Sequence, residues 1–282
     1  MKFINLKAPA KINIGLKVLE KRLDGFHNIQ TLFYPIKGLY DSINISKADI
    51  NSFSGNFPSD VNESNNLILK AKKLIEDFCK NKFTCEIKTF KKIPIGAGLG
   101  GGSSDAATTL IGLNSLYNLE LPVNILTQLA LNIGSDVPFF LNSKPAIGIS
   151  RGELLEEIKI NIPYYILLIN PNIHISTKSA FENITPNNQL INYYNLDFTN
   201  ETNLNIYQKE ILNDFEITIF NLYPEIKNIC KIMFNAGALF SKMTGTGSTV
   251  FGFFNKQSQI QEVLQKLPKQ YFHHIEIPHE DL

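Results

Sequence analysis

Apolar positions fall in two periods along the chain, and the switches between them outline the elements. Ile12, Ile14, Leu16 and Val18 alternate with other residues, the period-two signature of a half-buried strand. After Asn66, the residues Leu67, Ile68, Ala71, Leu74, Ile75 and Phe78 recur on one helical face. Strand character returns over 83–89, and a helical pattern runs from Ser103 to Leu116. Pro122, heading the next apolar-periodic stretch, predicts a helix reaching Ile133. Beyond it the spacing predicts strands near 146–151 and 164–170, then helices near 176–183, 206–221 and 224–236. Strands at 239–243 and 249–254, a helix near 257–267 and a strand near 271–277 follow. Strands and helices mix without strict alternation, the pattern of an α+β fold, with a boundary expected near 155–162.

Composition narrows the class. The chain has 282 residues, 44% apolar and 19% charged, enough to bury a sizeable core and too apolar for a disordered protein. Its 27 basic and 26 acidic side chains leave a net charge of +1, with no basic block. Neither nucleic acid nor an anionic membrane is announced as a partner. The opening Met1-Lys2-Phe3-Ile4-Asn5-Leu6-Lys7 lacks the apolar core of a signal peptide, and stretches such as 164–169 are too short to span a bilayer. Cys79, Cys85 and Cys230 are odd in number and show no CxxC spacing. They argue against a disulfide framework or structural zinc and suit the reduced thiols of a cytoplasmic protein.

The densest chemical signal is Pro94-Ile95-Gly96-Ala97-Gly98-Leu99-Gly100-Gly101-Gly102-Ser103-Ser104-Asp105. Glycines there permit positive φ and let backbone N–H groups approach a ligand with no Cβ in the way. Ser103, Ser104 and Asp105 then open the expected helix, whose unpaired N–H groups and dipole favour an anion. The serines also suit helix capping, which is compatible with phosphate binding. No GK[ST] follows, so the loop is not a Walker A. Gly96, Gly98 and Gly101 formally satisfy GxGxxG, but the acid some twenty positions on, Glu120, lies between two helical stretches instead of at a strand end. A dinucleotide site is therefore disfavoured.

Other residues are ambiguous one by one. Lys11 and Asn13 share the face opposite Ile12 and Ile14, where a lysine is usually solvated. Asp24-Gly25 reads as a turn, and Phe26-His27 after it suits a pocket that stacks and hydrogen-bonds a base. Asp136, in Gly134-Ser135-Asp136-Val137-Pro138, reads equally well as a general base or as the cap of a short helix begun by Pro138. Thr244-Gly245-Thr246-Gly247-Ser248 is either a tight turn or a loop packed on the first glycine loop or on a phosphate. His273, His274, Glu276, His279 and Glu280 cluster in sequence, but strand alternation sends the first two to opposite faces, against a metal centre.

In this order and spacing the segments resemble the GHMP kinases, over about residues 8 to 254. The pattern PxxxGLGxxSS is met by Pro94 through Ser104. Pro9-Ala10-Lys11-Ile12-Asn13, Arg22-Leu23-Asp24-Gly25-Phe26-His27, Gln30-Thr31-Leu32-Phe33 and Gly134 through Pro138 narrow the resemblance to one branch. It implies ATP-dependent phosphorylation of the 2-hydroxyl of 4-diphosphocytidyl-2-C-methyl-D-erythritol, within the non-mevalonate route to isoprenoids. It also implies a two-domain fold, with an N-terminal ATP-binding domain over 1–158 and a C-terminal α/β substrate domain over 159–282. Asp136 matches the base and Lys11 its catalytic partner, while residues 94–104 match the ATP loop. Asn13, Phe26, His27, Thr177, Phe181 and Thr244 match substrate contacts; the family usually has Tyr where Phe26 stands and Ser where Thr244 stands. Mg²⁺ is expected to arrive with the nucleotide, no protein ligand being identified. The partner is a small molecule, and oligomeric state stays open between monomer and weak dimer.

Overall fold

A computed structural model describes residues 1–57, 65–182 and 184–278. In chain order the first elements are β1 (Phe3–Lys21), β2 (His27–Lys47), β3 (Ser52–Gly55), α1 (Leu67–Cys79), β4 (Cys85–Phe90), α2 (Gly101–Leu116) and α3 (Val123–Leu131). A short 3₁₀ turn at Pro138–Leu141 precedes β5 (Ala146–Ser150), β6 (Leu154–Glu157), β7 (Tyr165–Asn170) and α4 (Thr177–Glu182). Then come α5 (Glu201–Glu210), α6 (Phe215–Leu222), α7 (Pro224–Asn235), β8 (Phe240–Met243), β9 (Val250–Phe254), α8 (Gln257–Lys266) and β10 (Phe272–Glu276).

These elements form two interleaved compact units. The first takes Met1–Ala10, Leu39–Ile95 and Gly100–Ser143; the second takes Lys11–Gly38, Gly96–Leu99 and the chain from Lys144 onward. That partition is not a single cut at residue 158. The long strands β1 and β2 each run from one unit into the other.

In the first unit, the later half of β2 pairs antiparallel with β4, Ser42 opposite Phe90 and Lys47 opposite Cys85, and β3 lies parallel on the other side of β4. Helix α1 starts where the sequence predicts: Asn66 Oδ1 accepts from the Ile68 N–H at 2.9 Å. It packs against α2, which is buried over most of its surface from Ser104 to Leu116.

In the second unit, the earlier half of β2 pairs antiparallel with β5, Ile29 opposite Ser150 and Phe33 opposite Ala146, and β6 extends β5. A separate antiparallel sheet runs β10-β7-β9-β8. Its core joins Leu167, Val250 and Phe254 to Phe215, Ile226 and Met233 of the helices and to Leu16 and Val18 of β1.

The predicted helix over 206–221 is two helices. The break falls at residues 211–214 because backbone groups there bond to β1: the Leu16 N–H donates to Leu212 O at 3.0 Å, and the Asp214 N–H to Leu16 O at 2.9 Å. A helical ladder cannot also use those groups. Strands β3 and β6, each four residues long, carry too little alternation to be read in advance.

Candidate functional site

The glycine loop is built in two pieces. In the second unit, Gly98 takes φ +78° and packs against the 244–247 turn so closely that a Cβ there would lie 2.5 Å from Thr244 O. A Cβ on Gly247 would meet Gly98 N at 2.3 Å. The two loops therefore touch backbone to backbone, and only glycine fits either position. The 244–248 segment is a turn, and it packs on the first glycine loop. Leu99, buried beside Gly98, accepts from the Lys11 N–H at 3.0 Å.

In the first unit, Gly100 caps α2 in the left-handed region at φ +72°, with no side-chain cap. The helix thus begins at Gly101, two residues before the expected Ser103, and neither serine is the cap. The Ser104 N–H already bonds Gly100 O at 2.9 Å, which leaves the N–H groups ahead of it without an acceptor inside the helix. Ser104 Oγ is buried without a hydrogen-bond partner. Pro94 is half-buried and Ile95 exposed, at the entry to the loop.

Asp105 does not face the helix end as an opening acid. It points into the first unit, where Lys91 Nζ donates to both Asp105 and Asp41, and all three are buried. Asp41 Oδ1 also accepts the Lys92 and Ile93 N–H groups at 2.5 and 2.9 Å. Burial pushes the Asp105 carboxyl up to about 7, with Lys91 pulling it down and Asp41 pushing it further up. Sequence reading missed Asp41 and Lys91, because a lysine before Ile93-Pro94 carries no signal that it is buried. Asp136 is half-buried in the turn before the 3₁₀ segment, whose capping position is Val137.

On β1, Lys11 and Asn13 are buried, at 3% and 2% exposure, not solvated. Lys11 Nζ donates to Asn13 Oδ1 at 2.5 Å and lies 5.4 Å from the Phe33 ring centre. Asn13 Nδ2 donates to Thr31 Oγ1 at 3.0 Å, and the Asn13 N–H to Thr244 Oγ1 at 2.8 Å. Thr244 is itself fully buried, so its hydroxyl serves to hold Asn13.

His27 and Phe181 stack, with ring centres 5.4 Å apart and planes 22° from parallel. Phe181 is held edge-on by Phe215 at 4.9 Å. Phe26 is 52% exposed, and the Arg151 guanidinium sits 4.9 Å from its ring centre, a contact the sequence did not announce. Partial burial, then the charge of Lys21, pushes His27 below its ordinary value. The neutral ring offers one donor and one acceptor. Thr177 and Thr246 hydroxyls lie 3.1 Å apart.

The histidine cluster behaves as β10 alternation requires. His274 Nε2 meets Glu276 Oε2 at 2.9 Å, and Glu276 accepts the Gly38 N–H, while His273 is exposed. His279 and Glu280 lie outside the described residues, among which no three His, Cys, Asp or Glu form a metal-holding group. Among them too, no helix is long and apolar enough to cross a membrane. Glu120 sits at φ +53° in the connection between α2 and α3, not in a strand.

Two family models match the segments that carry these two loops. The model for the GHMP kinases N terminal domain matches residues 66–144, and that for GHMP kinases C terminal matches residues 201–273. The chain belongs to the GHMP kinases, which are phosphotransferases. Within that family it is 42% identical to a protein of Azobacteroides pseudotrichonymphae named 4-diphosphocytidyl-2-C-methyl-D-erythritol kinase, over 88% of this chain and 92% of the relative. A protein of the same name from Parabacteroides distasonis is 35% identical over 90% and 92%. Among solved structures, a 4-(cytidine 5'-diphospho)-2C-methyl-D-erythritol kinase superposes with TM-score 0.77 at 28% identity, covering 96% of this chain and 98% of that one. A homoserine kinase from Cytophaga hutchinsonii reaches TM-score 0.76 at 17% identity, over 100% and 96%, and shares the fold alone.

Proposed function

We propose that the protein transfers the γ-phosphate of ATP to the 2-hydroxyl of 4-diphosphocytidyl-2-C-methyl-D-erythritol, a cytoplasmic step of isoprenoid biosynthesis by the non-mevalonate route. The observation that carries this reading is the 42% identity, along nearly the whole chain, to a relative named for that activity. The stacked His27 and Phe181 pair supports it, since an aromatic wall with a hydrogen-bonding edge suits a cytosine.

In this reading the loop from Pro94 to Ser104, with the N-terminal end of α2, holds the phosphates. Phosphoryl transfer asks a protein mainly to position its reactants and stabilise charge. Asp136 takes the proton of the 2-hydroxyl, and Lys11 polarises that hydroxyl or neutralises charge at the reacting centre. Phe26, His27 and Phe181 seat the cytosine, Asn13 and Thr177 complete the substrate contacts, and Thr244 serves them by holding Asn13. Mg²⁺ binds mostly phosphate and water oxygens, and it would neutralise phosphate charge here. The buried, unpartnered Ser104 Oγ, at the start of α2, is a protein oxygen that would suit that ion. Residues 1–158 and 159–282 are proposed as the ATP-binding and substrate domains, the two family segments falling on either side of that division.

A homoserine kinase shares this fold, so the fold alone does not select the acceptor. An ATP-consumption assay offering the cytidyl substrate beside homoserine, mevalonate and galactose decides between them. Turnover with the cytidyl compound alone is expected; turnover with one of the others instead would overturn the assignment.

A further inference from the structure

The four residues Asn213-Asp214-Phe215-Glu216, at the break between α5 and α6, match no motif used above, yet each holds a different part of the second unit. Asp214 accepts from Lys17 Nζ at 2.5 Å and from the Val18 N–H at 2.9 Å, fixing β1. Phe215 backs Phe181. Glu216 accepts the Met243 N–H at 2.8 Å. Asn213, only 2% exposed, reaches furthest toward the glycine loop.

Its Nδ2 donates to Met243 O at 2.9 Å and to Gly245 O at 2.8 Å, while its Oδ1 accepts the Phe215 N–H at 3.1 Å. The amide therefore spends both donors on two carbonyls that flank Thr244. No other uncharged side chain of this size offers two donors and an acceptor. The turn so fixed is the one whose backbone abuts Gly98, and whose Thr244 hydroxyl receives the Asn13 N–H. Contact between Gly98 and Gly247 leaves no slack, so a turn that relaxes lets the loop relax with it.

We propose that Asn213 is a positioning residue for nucleotide binding: it fixes the 243–247 turn, and through that turn the conformation of the glycine loop. The inference rests on the reading of that loop as the phosphate cradle. Asn213 touches no reactant. It acts by holding N–H groups where a phosphate needs them, so that ATP binds without ordering the loop first.

The test is calorimetric titration of ATP into the full chain carrying Asn213→Ser, beside wild type and Ile217→Ser, an exposed change on α6. Two buried hydrogen bonds to the turn are lost. We expect ATP Kd to rise by about tenfold or more, with KM for the cytidyl substrate within about twofold of wild type. A purely structural asparagine would lower Tm and leave ATP Kd unchanged in the folded fraction, or raise both constants together. Either result overturns the proposal. Should Asn213→Ser fail to fold, Asn213→Asp, which keeps the acceptor and the size but loses both donors to the turn, takes its place. The same rise in ATP Kd is then expected, and an unchanged Kd overturns the proposal. A wild type that binds no ATP refutes the kinase reading, whereas a wild type and variant that bind it equally refute only this inference.

Discussion

Lys11 Nζ and Asn13 Oδ1 are joined by a 2.5 Å hydrogen bond on one face of β1, with both side chains sealed from solvent. A buried ammonium keeps its charge only where neighbours supply acceptors, so the bond aims the lysine as well as solvating it. Lys11→Ala should lower kcat by about 10²–10³-fold with little change in substrate KM, because the ammonium's worth lies in charge that develops during transfer. A loss confined to KM would return Lys11 to a binding role.

For Asp136→Asn, steady-state kinetics should show kcat reduced by about 10²–10⁴-fold, the usual worth of a positioned general base. ATP and cytidyl-substrate affinities, measured by titration, should stay near wild type. A variant that keeps most of its kcat removes Asp136 from the chemistry.

Gly100→Val places a branched side chain at a helix cap with φ +72°, in a region such residues avoid. The first turn of α2 must shift, and its N–H groups with it. ATP affinity should fall by at least about tenfold while circular dichroism still reports a folded chain. Unchanged affinity in a folded variant would mean that the phosphates bind elsewhere.

The stacked ring of His27 offers both a donor and an acceptor to a cytosine edge. Its removal in His27→Ala should raise KM for the cytidyl substrate by about tenfold or more and leave KM for ATP unmoved. Methylerythritol phosphate, which lacks the cytidine, should be a very poor substrate of the wild type. Equal kcat/KM for the fragment and the whole substrate would refute a cytosine pocket.

Asp105 gives a pH dependence with a definite sign. Its carboxyl rises from 3.8 to about 7 on folding, so between those values the native state holds a proton that the unfolded chain releases. Stability from this group is therefore greatest below about pH 4 and declines as pH climbs toward 7. Asp105→Asn, keeping Lys91 paired with Asp41, should flatten the fall of Tm with pH across that window. Parallel Tm profiles for the two proteins would show that Lys91 keeps Asp105 ionised throughout.

What the sequence discloses depends on how local its cause is. The Asn66 cap, the single-faced pattern of α1 and the glycine run act over a few residues, and the structure puts α1 and the loop where the pattern does. The interruption of the 206–221 pattern depends on β1, nearly two hundred residues away, and no local spacing records that. Asp105 reads as an acid at a helix start because its partner Lys91 looks like any lysine. Thr244 reads as a substrate contact by motif, while its burial under Asn13 appears only once β1 and the turn are folded together. Arg151 and Asn213 escaped for the same reason: their meaning lies in what they touch.

The interleaving of the two units also bears on how the chain is made. Leu16 and Val18 leave the ribosome long before Val250 and Phe254, which pack in the same core. At about 5–20 residues per second the nascent chain carries those strands uncovered for on the order of 10–50 s. During that interval the apolar face of β1 is a surface to be shielded by chaperones or lost to aggregation. The second unit can close only after Val250 and Phe254 have emerged.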